Sequence, residues 1–210
     1  MRFSVIYTFF ITATLFLSSL FLSGCSDKSE LRASEDETIL KWLTSRNYTE
    51  EDYWVTDGVY RIIAGNAFDN SEEPYDPPTI NTGDKVGFLY TLFVFTGSEQ
   101  RYTNKENLDK ESIIYTNDRE LVSDKINPEY WPDGPLEIIS GNGEVIKGID
   151  VSLPGCRLGD LVILVIPSEM AYGKAEIGVV GSDKIIYCII DITGVNDETI
   201  PGYGPEDPQE

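Results

Sequence analysis

A chain of 210 residues without a single His cannot run the chemistry most hydrolases use. No Ser–His or Cys–His pair can form, and the commonest general base and zinc ligand are missing together. Carboxylates number 36, too many for any pair to single out glycosidase chemistry, and no calcium-loop pattern is present. Gly141-Asn142-Gly143 lacks the rest of a phosphate loop and reads as a hairpin turn. Cys156 and Cys188 lie 32 residues apart. An oxidising compartment permits a disulfide between them, but sequence does not supply its geometry, and two separately buried thiols fit as well. What remains is aromatic hydroxyls and apolar side chains. Two runs are the most informative, G-N-G-E-V-I-K-G ending at Gly148, and I-P-S-E-M-A-Y-G beginning 18 residues later at Ile166.

The elements that must position these groups follow from pattern. Ser34 with Glu37 fits a capping box, opening a helix over 35–46 with Ile39, Leu40, Trp42 and Leu43 as its apolar stripe. Residues 26–32 read as a polar tether. Tyr53 to Ile63 reads as a strand region, and Asp69 to Pro78 as an acidic, Pro-rich loop. Asp84 to Phe95 is a long strand, with Phe88, Tyr90, Leu92 and Val94 on one face and Leu89, Phe93 and Phe95 on the other. Gly97 to Asp109 is polar and is expected to be an exposed loop. Glu111–Thr116, Leu136–Ile139, Leu161–Ile166 and Ile185–Ile192 are further strands. Ile146–Leu153 is one short helix stopped at Pro154-Gly155. The strands at 84–95, 161–166 and 185–192 are apolar on both faces, whereas an antiparallel sheet with one wet face alternates. The second face is therefore expected to be covered, by the 35–46 helix and the aromatics after it.

The N-terminus speaks to location. Arg2 precedes an apolar run from Ile6 to Leu22 ending in small residues, the pattern of an export signal. Leu22-Ser23-Gly24-Cys25 resembles the lipobox of bacterial lipoproteins, which implies cleavage before Cys25 and lipidation of its thiol. That makes the chain anchored to a membrane rather than spanning it. The absence of Asp directly after Cys25 implies the outer membrane. Without residues 1–24, whose only charged group is Arg2, the chain is one unit more negative than −20. Such a chain repels nucleic acid, and no nucleic-acid partner is expected.

The two runs of the opening paragraph, with the turn Leu158-Gly159-Asp160 between them, resemble FKBP-type peptidyl-prolyl cis-trans isomerases over roughly Gly58 to Val195. The resemblance implies an α+β fold: an FKBP-like antiparallel half-barrel sheet wrapped around one short helix. It implies a catalytic set of Tyr90, Tyr172, Val145 and Ile146. Tyr90 matches the Tyr of the first long strand, Val145 and Ile146 an identical pair whose backbone contacts ligands, and Tyr172 the Tyr whose hydroxyl reaches a ligand carbonyl. Substrate-binding positions follow in the same way. Leu136 matches an aromatic of the wall, Val179 and Val180 an aliphatic pair in a rim loop, and Tyr187 a Phe of the last strand. Ile149 stands where the family has a Trp floor, and Ile114-Tyr115 where it has Phe-Asp. The loop after Tyr172 is shorter than usual. Tyr130 and Trp131 are candidates for a replacement aromatic wall.

The expected organisation is a signal peptide over 1–24, a lipidated Cys25 and tether over 25–33, a helical extension over 34–56, an FKBP-like domain over 57–197 and a disordered acidic tail over 198–210. The expected function is a peptidyl-prolyl isomerase of reduced activity that assists folding of exported proteins, needing no metal or cofactor and acting on proline-containing polypeptide segments. The alternative is a non-catalytic peptide- or protein-binding lipoprotein of the same fold. A carbohydrate binder using Trp131 is a more distant third.

Overall fold

The computed structural model describes residues 27–69, 71, 75–118, 120–121 and 134–202. Cys25, Tyr130 and Trp131 lie outside the described residues, as does 203–210. The chain divides into two compact units, 1–41 and 42–210. A helix, α1, covers residues 27–45. It starts before the expected capping box, so Ser34 lies within it, and the Ser34 carbonyl accepts from Thr38 Oγ1 at 2.8 Å. The segment 28–33 reads as a tether by polarity, but Lys, Glu, Leu, Arg and Ala are strong helix formers. An Arg32–Asp36 ion pair at 3.2 Å, one turn apart, adds support. The helix stops at Asn47, whose φ of 59° takes the left-handed turn common at helix ends. Tyr48 N–H then donates to the Leu43 carbonyl at 3.0 Å.

The unit 42–210 is built on one antiparallel sheet. Its strands are β1 (Trp54–Thr56), β2 (Val59–Asn66), β3 (Lys85–Val94), β4 (Ile113–Thr116), β5 (Leu136–Ile139), β6 (Asp160–Ile166), β7 (Ile186–Val195) and β8 (Glu198–Thr199). They run in the order β1-β2-β6-β7-β3-β4, with β5 also on β3 and β8 on β7. The strand region expected over 53–63 is a hairpin. Asp57 and Gly58 both have positive φ, 49° and 80°, the turn an Asp-Gly pair favours between twisted strands. Glu198 and Thr199, read as the start of a disordered tail, pair with Val195 and Gly194 as β8, turned by Asn196 at φ 53°.

Inside the curve of the sheet sits α2 (Lys147–Asp150), shorter than the helix expected over 146–153. Ile149 and Leu153 pack there with Phe88 and Leu92 of β3, Leu164 and Ile166 of β6, and Cys188 and Ile190 of β7. Each such residue contributes roughly 1.5–3 kcal/mol by leaving water. The approach of α2 to β6 is close enough to demand a glycine. A Cβ on Gly148 would stand 2.2 Å from Ile166 Cγ2 and 3.1 Å from the Met170 carbonyl. Both cysteines are buried and unpaired, and burial pushes the Cys156 thiol up to about 11.

The outer face is covered, as the double-faced apolar strands require. Trp42, in the last turn of α1, is 2% exposed. It meets Phe95 and Tyr187 edge-on, with ring centroids 5.5 and 5.8 Å away. The loop expected to be exposed over 97–109 also folds onto this face. There Lys105 Nζ contacts Asp118 at 2.7 Å, Glu120 at 3.4 Å and Asp191 at 3.5 Å. Most of the segment is exposed, as its polarity predicts, and Lys105 is held half-buried by these ion pairs.

Candidate active site

Five elements carry the expected site residues. On β3, Phe88 and Tyr90 are neighbours on the inner face, centroids 5.6 Å apart. Tyr90 in turn stacks on Tyr115 of β4, at 4.9 Å and 27° between planes. The β3–β4 register sets Leu92 opposite Tyr115 and Phe93 opposite Ile113, leaving Ile114 as a bulge. A bulge re-aims the side chains around it, and both Ile114 and Tyr115 pack on the core as half-buried residues. Leu136 enters from β5, paired to Phe88.

Val145 and Ile146 arrive at the start of α2. The Ile146 carbonyl accepts from Ile149 N–H at 3.0 Å and Asp150 N–H at 3.2 Å. Its own N–H takes no backbone acceptor among the described residues, so it is available to a ligand carbonyl. Tyr172 follows the 3₁₀ turn Ser168–Met170, which Gly173 N–H ties back to the Ser168 carbonyl at 2.7 Å. Burial, then the nearness of Cys188 and Tyr115, pushes the Tyr172 hydroxyl above its usual range. Among the described residues that hydroxyl takes no hydrogen-bond partner. The Tyr90 hydroxyl is also pushed up, first by burial and then by a hydrogen bond with Tyr115. Both remain proton donors across the physiological range.

Tyr90, Ile114, Tyr115, Leu136, Val145, Ile146 and Tyr172 are all half-buried against one core cluster. Ile149 lies beneath them, 1% exposed. The aliphatic pair of the rim loop splits: Val180 is in the core, 4% exposed, while Val179 is 78% exposed. Ile177 and Val180 exchange both backbone hydrogen bonds, at 3.0 and 2.9 Å, which leaves Val179 at the tip of the turn.

Tyr187 does not belong to the site. It lies on the outer face against Trp42 and Phe93. The inward position on β7 is its neighbour Cys188, buried close to Tyr90 and Tyr172. Side chains alternate along a strand, so matching one residue off inverts the face.

Two positioning residues carried no signal in the sequence. Asp150 accepts from Gly141 N–H at 2.8 Å and Gly143 N–H at 3.1 Å, fixing the turn that delivers Val145 and Ile146. Asn117 accepts from Tyr90 N–H at 2.6 Å and donates to the Phe88 and Gly134 carbonyls at 3.2 and 3.0 Å. It thereby holds β3 where β4 ends and β5 has not begun. The only hint was that short polar residues commonly bond to nearby backbone.

The family model for FKBP-type peptidyl-prolyl cis-trans isomerases matches residues 76–190, more than half of the chain. The chain belongs to that family. Among curated relatives it is similar to FK506-binding protein 5 of Dictyostelium discoideum, 29% identical over 111 residues, which are 51% of this chain and 7% of that protein. It is also similar to FK506-binding protein 4 of Emericella nidulans, 41% identical over 54 residues, 25% of this chain and 11% of that protein. FK506-binding protein 2A of Rhizopus delemar is 34% identical over 68 residues, 32% of this chain and 41% of that protein. The chain spans less than half the length of each. Among solved structures, a peptidyl-prolyl isomerase from Pseudomonas syringae pv. tomato has a TM-score of 0.47 at 15% identity, over 78% of this chain and 95% of that one. FkpA from Escherichia coli has a TM-score of 0.44 at 16% identity, over 89% and 71%.

Proposed function

We propose that this FKBP-family chain isomerises X-Pro bonds in proline-containing polypeptides, more slowly than a site with an indole floor and a rim carboxylate would. The observation that carries this reading is a set of half-buried, mostly apolar side chains packed on one core cluster, together with a Tyr172 hydroxyl and an Ile146 N–H that have no partner among the described residues. The X-Pro barrier is roughly 20 kcal/mol because twisting breaks amide resonance. A cup that excludes water favours the twisted amide, which is less polar than the planar one. No proton needs to be removed, which suits a chain without His. In this reading Ile146 N–H and the Tyr172 hydroxyl orient substrate carbonyls, while Tyr90, Leu136, Val145 and Ile114 hold the ring of the proline. Ile149 gives the ring less surface than an indole. Tyr115 offers a neutral hydroxyl engaged with Tyr90 in place of a charge, hence the reduced rate.

The test is acceleration of a Phe-Pro peptide by the full chain in detergent, and its decrease in Tyr172→Phe. Acceleration unaffected by that change would remove Tyr172 from the mechanism. The engaged Tyr90–Tyr115 pair also favours a second reading, a peptide-binding module without catalysis. That reading gives shifted peptide resonances with no acceleration. Ile149→Trp with Tyr115→Asp then separates the two: a gain in rate means a weakened catalytic cup.

The N-terminal residues support placement of this activity at a bacterial outer membrane, through lipidation of Cys25, where it would serve exported proteins. Cys25→Ser should release the protein from the membrane fraction. Retention there would count against the anchor.

A further inference from the structure

The turn Gly141-Asn142-Gly143 delivers Val145 and Ile146 to the candidate active site, and it carries a chemistry of its own. Asn142 is the only Asn in the chain followed by Gly, and Asn is among the thermolabile side chains. Residues 141–144 are all exposed. Gly143 has no Cβ to hinder an approach to its nitrogen. The place a Cβ would take is open, with nothing within 4 Å. The Asn142 carboxamide therefore lies beside an uncrowded backbone nitrogen, in a turn that water reaches.

Two carboxylates hold the reacting groups. Gly143 N–H donates to Asp150 Oδ2 at 3.1 Å, and Asn142 Nδ2 donates to Glu144 Oε1 at 3.1 Å. A negative charge beside the Gly143 nitrogen opposes its loss of a proton, so Asp150 slows attack by that nitrogen without preventing it. Asp150 also accepts from Gly141 N–H at 2.8 Å. Its two oxygens thus grip the amides on either side of Asn142, and the spacing between those amides fixes the turn.

We infer that Asn142 is a site of spontaneous deamidation, and that its isoaspartyl product disables the cup. The deprotonated Gly143 nitrogen attacks Asn142 Cγ. The N–Cγ bond forms, the Cγ–Nδ2 bond breaks, and Nδ2 leaves as ammonia. Water then opens the succinimide. Opening at Cγ gives Asp; opening at the backbone carbonyl carbon gives isoaspartate, whose main chain runs through Cβ and Cγ. In sum, amide and water become carboxylate and ammonium. The isoaspartyl main chain is longer by a methylene between Gly141 and Gly143, so Asp150 no longer matches both amides. The new carboxylate also stands beside Glu144 in a chain already at −20, where like charges repel. Val145 and Ile146, next along the chain, lose their support. The effect on the cup rests on the prolyl-isomerase reading; the modification does not.

The test is ageing of the full chain in detergent and mildly alkaline buffer, beside the free peptide of residues 140–146. Mass spectrometry with electron-transfer fragmentation tells Asp from isoaspartate. Conversion is expected at Asn142 ahead of every other Asn, slower than in the peptide, and several-fold faster in Asp150→Asn. Amide hydrogen exchange at Gly141 and Gly143 and X-Pro exchange are followed on the same samples. The isoaspartyl fraction should lose protection at both amides and most of its rate, and a protein isoaspartyl methyltransferase with its methyl donor should restore both. Asn142→Gln keeps the amide but must close a larger ring, and it should hold its starting rate throughout. An Asn142 still intact once the peptide has fully turned over would overturn the proposal. So would an isoaspartyl chain with full protection and full rate, and equal ageing in Asp150→Asn would overturn the protecting role of Asp150. A chain that never accelerates X-Pro exchange, yet loses protection as isoaspartate forms, would keep the modification and remove the isomerase reading alone.

Discussion

Replacing Trp42 by Ala should destabilise the protein severely without touching the candidate active site. Trp42 is 2% exposed and makes ring contacts with Phe95, Tyr187 and Tyr48 at 5.5, 5.8 and 5.7 Å. Truncating a large buried aromatic costs about 3–5 kcal/mol, because burial is lost and a cavity remains. The Nε1 bond to the Glu99 carbonyl at 2.8 Å adds about 1 kcal/mol, offset in part because Arg46 still serves that carbonyl. The expected loss is about 4 kcal/mol, a large share of the stability of a typical domain. For a chain of this size that is a fall in melting temperature of about 8–16 °C. Trp42→Phe separates packing from hydrogen bonding: it keeps most of the ring and should cost only about 1–2 kcal/mol. The assay is thermal unfolding followed by near-ultraviolet circular dichroism, with X-Pro exchange measured on the folded fraction. A melting temperature unchanged in Trp42→Ala would refute the claim that the outer face of the sheet depends on this cover. Loss of exchange activity at full folding would refute the separation of the two faces.

The remaining predictions address the site and its supports. Gly148→Ala places a methyl 2.2 Å from Ile166 Cγ2; about 1–3 kcal/mol of stability and most of the isomerase rate should be lost together, and a silent substitution would mean α2 sits farther from β6. Asp150→Asn removes one of two backbone acceptors. It should cost about 1–3 kcal/mol and lower the rate by disturbing Val145 and Ile146, whereas an unchanged rate would separate the turn from the site. Burial alone would lower the Lys105 pKa, but Asp118, Asp191 and Glu120 outweigh it and hold it above the usual 10.5. Its stabilising contribution is therefore complete below 10.5 and is lost as pH rises through the higher folded value. Lys105→Met should accordingly melt lower than the parent at neutral pH, with the gap closing in strong alkali; equal melting at neutral pH would show the cluster to be inert. Burial outweighs Lys105 at Asp191 and raises its pKa, so ionising it destabilises the fold as pH climbs above the usual carboxylate range. Asp191→Asn should flatten that acidic limb of the stability profile, and an unaltered limb would assign it to other carboxylates.

Much of the fold was legible because its signals are periodic. β3, β6 and β7 are apolar on both faces, and that alone required a covered sheet; Trp42 and the aromatics near it supply part of the cover. The short strands at 113–116 and 136–139 stood out between polar stretches. What escaped is set by single residues or by tertiary context. The Asp57-Gly58 hairpin was hidden inside an apolar run. The burial of Lys105 depends on Asp118 and Asp191, distant in sequence. Val145, Ile146 and Tyr172 were legible because the stretch from Glu144 to Gly173 matches a known pattern without a gap; the residues on β3, β4 and β5 were placed by alignment to the same pattern. Tyr187 failed because a strand offers two neighbours with opposite faces, and the aromatic one was taken for the inward one. Asp150 and Asn117 were invisible because a residue that bonds to backbone leaves no periodic trace.

The central claim is that the set of Tyr90, Ile114, Tyr115, Leu136, Val145, Ile146 and Tyr172 holds a prolyl bond and lowers its barrier. The most direct measurement is exchange spectroscopy on a short Leu-Pro peptide with the full chain in detergent at low stoichiometry, alongside Ile146→Asp. Uncatalysed exchange takes tens to hundreds of seconds, so even weak catalysis produces cross-peaks that the free peptide lacks. Cross-peaks with the native chain, absent with Ile146→Asp at equal folded concentration, are the predicted result. Exchange at the free-peptide rate with the native chain, or equal catalysis by Ile146→Asp, would contradict it.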